Sequence, residues 1–135
     1  MPALVSYLIA LAAFVALDMA WLGVMAPRFY RPTLGDIALS SAAIGPAALF
    51  YLVYPVGLTI FAIGPGLKSE SVMTTALYGA LFGFFTYATY DLTNQATLRN
   101  WSTSLSLIDI AWGTTLGAAS AALTAALILR FSLPR

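Results

Sequence analysis

Four apolar runs, at about residues 3–26, 39–63, 72–97 and 104–129, take up most of this chain. Each is long enough to cross a hydrocarbon layer of about 30 Å at about 1.5 Å per helical residue. Backbone amides cannot stay unpaired in hydrocarbon, so runs of this kind form helices, and short connectors make successive helices antiparallel. The expected fold is an all-α membrane protein: one antiparallel four-helix transmembrane bundle spanning residues 1–135, with no room for a soluble domain.

Composition agrees, since only 8% of residues are charged and 61% are hydrophobic, against roughly 25% charged in a soluble domain. The chain contains neither cysteine nor histidine. Disulfides, thiol catalysis, ordinary zinc sites, iron–sulfur clusters and haem ligation by His or Cys are thereby excluded. A net charge of +1 without a basic run excludes nucleic acid as a partner. No cofactor is expected. Three aspartates and Asn94 offer oxygen ligands, but over roughly 10 Å of depth they do not make a tight coordination shell, so no metal is expected either.

The first run ends at Pro27, and the segment Arg28–Asp36, with Pro32 and Gly35, is expected as an interfacial loop. No Lys or Arg precedes this run and further spans follow it, which favours a span over a cleaved signal peptide. Pro46 and Pro55 in the second run predict a kinked helix packed against others. Gly64-Pro65-Gly66 and Lys68–Glu70 are expected to end it, with Ser69 or Ser71 capping the third. The third run carries Gly79-x-x-x-Gly83 and the fourth Gly113-x-x-x-Gly117, spacings that let helix backbones approach closely. Trp101 is expected as a headgroup-level anchor.

Three carboxylates interrupt the apolar runs: Asp18, Asp91 and Asp109. Connectivity puts the 27–38 and 98–103 connections on one side of the membrane, and all three aspartates fall in that leaflet. Arg28, Arg31 and Arg99 stand at its rim. Asp18-x-x-Trp21 and Asp109-x-x-Trp112 each place acid and indole on one helical face. Because the two helices are antiparallel, each carboxylate should lie at the depth of the other helix's indole, which can only donate. Asp91 has Tyr87, Asn94 and Gln95 at helical spacing. An intramembrane acid is costly unless it is paired, hydrogen-bonded or protonated, and is a functional-site hypothesis by default. The expected ligand-binding set is Asp18, Trp21, Tyr87, Asp91, Asn94, Asp109 and Trp112; Tyr7, Leu11 and Phe14 continue the Asp18 face as packing residues.

Leu17-Asp18-Met19-Ala20-Trp21-Leu22-Gly23, Tyr90-Asp91-Leu92-Thr93-Asn94-Gln95-Ala96-Thr97-Leu98 and Asp109-Ile110-Ala111-Trp112-Gly113 together resemble a bacterial family of small inner-membrane proteins of unknown function. The resemblance covers essentially the whole chain and implies a four-helix, multi-pass protein of the bacterial inner (cytoplasmic) membrane. It supplies no mechanism. Whether the protein is an enzyme is left open, and no residue is assigned as catalytic.

Three functional classes fit these residues. The first is binding, with or without modification, of an amphiphilic or lipid-like small molecule whose head meets the acids. The second is a proton- or cation-coupled transporter working as a homo-oligomer through the Gly79/Gly83 or Gly113/Gly117 surfaces. The third is an accessory subunit of a larger membrane complex. Positive residues are tied between the two sides, so orientation rests on a weak preference for cytoplasmic termini.

Overall fold

The computed structural model describes residues 2–135, and every regular element among them is helical. Helix α1 (Pro2–Met25) runs on through a π-helical turn (Ala26–Tyr30), the short helix α2 (Arg31–Leu34) and a 3-10 turn (Gly35–Ile37), an unbroken path of 36 residues. After a connection at 38–43, α3 (Ile44–Leu58), a second π turn (Thr59–Ile63) and α4 (Gly64–Lys68) form one continuous 25-residue helix. Helices α5 (Val72–Thr97) and α6 (Thr103–Arg130) complete the bundle.

Two expectations are corrected here. The segment Arg28–Asp36 is helical rather than a loop, and Gly64-Pro65-Gly66 opens α4 instead of ending the second span. Consequently the second helix occupies Ile44–Lys68 rather than 39–63. A proline lacks the N–H and clashes with the carbonyl four residues back. A π turn, whose hydrogen bonds reach one residue further, absorbs that misfit without breaking the helix. Pro27 lies inside the first π turn, and Pro65 comes two residues after the second, past Gly64. Helices α5 and α6 start where hydroxyl caps dictate: Ser71 Oγ accepts from the Thr74 amide and Ser102 Oγ from the Leu105 amide, both at 3.0 Å.

Three of the helices are long and apolar enough to cross a membrane by length and composition. Helix α5 is as long but turns polar over Thr89–Thr97, and it lies along α6 as the most extensive pairing in the molecule. Helix α1 packs on the other side of α6, and the α3–α4 helix closes onto α1 and, through its π turn, onto α5. Large apolar side chains such as Leu4, Leu8, Val53, Phe61, Leu77 and Phe85 face outward. The interior of the α5–α6 pair is made of small residues instead: Gly79, Gly83, Gly113, Gly117, Ser120, Ala121 and Thr124. That inversion suits a lipid environment, where tight backbone approach holds helices together.

The four spaced glycines therefore face each other within one chain. A Cβ on Gly79 or Gly83 would strike the carbonyl of Gly117 or Gly113, and one on Gly113 would strike the Tyr87 ring. These faces are used up inside the bundle and offer no surface to a second copy. Gly83→Leu should accordingly lower stability by at least about 3 kcal/mol, because the backbones must part. Gly23→Ala, with open space around it, should instead raise stability by about 0.5–1 kcal/mol. Reversible unfolding by sodium dodecyl sulfate titration checks both.

Candidate functional site

Asp18 is 5% exposed on α1, and both of its oxygens are satisfied by donors from other helices. Trp112 Nε1 donates to Oδ1 at 2.9 Å and the Tyr51 hydroxyl donates to Oδ2. On the other side of α6's indole the pattern recurs with one more link. Trp21 Nε1 donates to the Tyr30 hydroxyl at 3.1 Å, and that hydroxyl donates to Asp109 Oδ1 at 2.9 Å. Between the two acids the indoles of Trp21 and Trp112 stack with centroids 4.4 Å apart and planes 4° from parallel. The antiparallel Asp-x-x-Trp pairs thus interlock: each indole serves the carboxylate of the facing helix, one directly and one through a phenol.

Asp91, on α5, is fully buried, and among the described residues neither of its carboxyl oxygens meets a donor. It shares a cavity of about 210 Å³ with Asp109, Tyr30, Tyr90, Trp101 and Leu105. Two carboxyls can hydrogen-bond one another only through a shared proton. Apart from that proton, no described residue offers Asp91 a donor. Trp101 folds back toward this cavity rather than standing free at the interface: its Nε1 donates to Ser106 Oγ at 3.0 Å, and the Tyr90 and Trp101 rings meet edge to face at 5.8 Å.

Asp109 and Tyr90 also border a second cavity of about 430 Å³, completed by Phe50, Tyr54, Thr86 and Tyr87. Tyr54 is the post between this space and a more open apolar groove of about 640 Å³ that runs past Phe61, Leu81, Phe82 and Phe85. Its ring lies 5.2 Å from Phe82 and 6.1 Å from Tyr87. The Thr86 hydroxyl donates to the Phe82 carbonyl at 2.7 Å, which makes Tyr54 the donor in the 2.9 Å Tyr54–Thr86 bond. Thr86 borders both spaces.

Of the residues singled out in the sequence, Asp91 and Asp109 share one cavity, while Tyr87 and Asp109 share the other. Asp18, Trp21 and Trp112 form the adjoining interlock. Asn94 is half-buried but borders neither cavity. The three aspartates do not converge on a single cluster. Arg28, Arg31 and Arg99 are exposed, and none reaches an aspartate: the one ion pair among the described residues joins Arg135 to Glu70 at 2.6 Å, at the opposite end. Sequence reasoning missed Tyr30 and Tyr51, the two phenols that serve the buried acids. Tyrosines facing apolar helices that carry unpaired acids were the available signal.

The acids therefore divide by role, and substitution should separate them. Asp18→Ala orphans two half-buried donors, those of Trp112 and Tyr51, and should destabilise by roughly 2–4 kcal/mol. Asp91→Asn gives Asp109 an amide donor in place of the proton the two acids can share, so its stability should stay within about 1 kcal/mol of the parent. Thermal unfolding in dodecyl maltoside, followed by the near-ultraviolet dichroism of the stacked indoles, checks both.

The family model described as "Predicted membrane protein (DUF2177)" matches residues 3–126. No curated protein matches the chain, and no solved structure does. With a match over nearly its whole length, an all-helical bundle and three apolar spans, the chain belongs to the DUF2177 family of predicted membrane proteins.

Proposed function

We propose that this protein binds an amphiphilic small molecule, its polar head in the paired cavities around Asp109 and its tail in the apolar groove beside Phe82. The observation that carries the reading is Asp91, a fully buried carboxyl with no donor on either oxygen. A buried polar group left unsatisfied costs about 1–3 kcal/mol, and charged groups cost more. A ligand head that brings positive charge, or N–H or O–H donors, to the acids would meet that need.

The arrangement of spaces supports the same reading. Polar acceptors lie at one end, aromatic rings in the middle and an apolar groove beyond Thr86. Helix α5 meets the second helix mainly through the 59–63 turn and α4, and meets α3 through side chains such as Tyr54 and Thr86. An opening between α3 and α5 lets a lipid-like molecule arrive sideways from the bilayer, bounded by Phe50 at 39% and Tyr90 at 57% exposure. The bacterial inner membrane, with both termini cytoplasmic, is the location proposed with this function.

Native mass spectrometry of protein released from dodecyl maltoside tests it. The parent should carry a co-purified small molecule, and Asp91→Asn and Asp109→Asn should each lower its occupancy by about tenfold in apparent affinity, equivalent to about 1.4 kcal/mol. Both variants should keep their thermal stability. An unchanged bound species in both would overturn the proposal and leave the accessory-subunit reading in its place. Proton or cation flux into liposomes that Asp91→Asn abolishes, without any bound molecule in the parent, would replace it with the transporter reading.

A further inference from the structure

The cavity on the α3–α5 side has an unusual lining for a site inside hydrocarbon. Four of its six bordering residues are aromatic, namely Phe50, Tyr54, Tyr87 and Tyr90, and a fifth is a carboxylate, Asp109. Phe50 and Tyr54 have centroids 5.4 Å apart and planes 48° from parallel, and Tyr54 meets Tyr87 at 88°. Rings set at such angles present both faces and edges to the space between them. The face of an aromatic ring carries negative potential, so a cage of rings attracts a cation, and an ammonium bearing methyl groups fills it without demanding hydrogen bonds.

Charge balance points the same way. Asp109 and Asp91 bring two acids to adjoining cavities, and no Lys or Arg borders either one. The nearest arginines by sequence, Arg28, Arg31 and Arg99, are exposed and pair with no carboxylate. Asp109 receives one protein hydrogen bond, from Tyr30, on Oδ1 alone. An anionic head would meet carboxylates and ring faces with no counter-charge, and a neutral head would leave the charge of the site unanswered.

Building on the amphiphile reading above, we infer that the head group is an organic cation: a substituted ammonium seated among Phe50, Tyr54, Tyr87 and Tyr90 and balanced by Asp109. Asp91, at the far side of Asp109, accepts from any N–H the head retains.

Three single-chain amphiphiles with the same twelve-carbon tail test this, carrying trimethylammonium, hydroxyl or phosphate heads. Each is titrated into the purified full chain in dodecyl maltoside, with native mass spectrometry and thermal shift as readouts. The trimethylammonium compound should bind about tenfold or more tightly than the hydroxyl compound, within the range of a desolvated cation–π site with a counter-ion. The phosphate compound should bind weakest. Asp109→Asn keeps an acceptor for Tyr30 and should remove the preference for the cation while leaving the hydroxyl compound's binding in place. Tyr90→Leu should weaken the cation alone.

Tetramethylammonium, which has the head but no tail, separates a lipid from a soluble cation. It should displace the amphiphile only at far higher concentration; equal potency would keep the charge preference and remove the amphiphile reading. Equal binding of all three heads, unchanged by Asp109→Asn, would overturn the cation inference while the amphiphile reading stood. Saturable binding of none of them would remove both.

Discussion

A carboxylate inside a bilayer cannot borrow water, so its acceptor capacity has to be filled by groups the protein itself carries to that depth. Much of this bundle's geometry follows from that requirement. Asp18 is met by Trp112 and Tyr51, which fixes α1 against α6 and α3 at once. Asp109 is met through Tyr30, which holds the π turn after α1 against α6. Stacking of Trp21 on Trp112 joins the two arrangements, so neither indole is free to swing away from its acid. Asp91 stands out because the same rule is not satisfied for it by the chain.

The tight α5–α6 seam and the looser α3–α5 seam divide the labour of the bundle. Along the first, glycine carbonyls lie against glycine backbones and leave nothing to open. Along the second, contacts run through rings and hydroxyls: Tyr54 to Thr86, and Tyr54 to Phe82 and Tyr87. Ring-on-ring contacts tolerate sliding and rotamer change where interlocked backbones do not. A rigid wall bearing Asp91 and Asp109 thus faces a softer wall bearing Phe50 and Tyr54.

Three helices were legible in the sequence because length and apolarity decide whether a run can cross hydrocarbon, and α5 because its run is apolar from Val72 to Ala88 before it turns polar. The relation of Asp18 to Trp112 was legible too, since equal spacing on antiparallel helices leaves few other partners at that depth. Tyr51 was not, because its direction depends on how α3 sits against α1, which no local spacing encodes. Asn94 was expected near Asp91 from a three-residue offset, but it lies half-buried on α5 and borders neither cavity. The glycine pairs were correctly read as close-approach sites; whether they join two chains or two helices of one chain cannot be inferred from spacing, and the structure spends them internally.

The π turn at Ala26–Tyr30 acts as a register shift. Hydrogen bonds that reach one residue further accommodate an extra residue in that turn, so everything after it is rotated by about 100° from where an uninterrupted α-helix would put it. Tyr30 occupies its place between Trp21 and Asp109 because of that count. The segment demands a fixed length: a one-residue deletion that left every named side chain intact would still carry the phenol a quarter-turn or more out of line, and with it the one donor to Asp109 among the described residues.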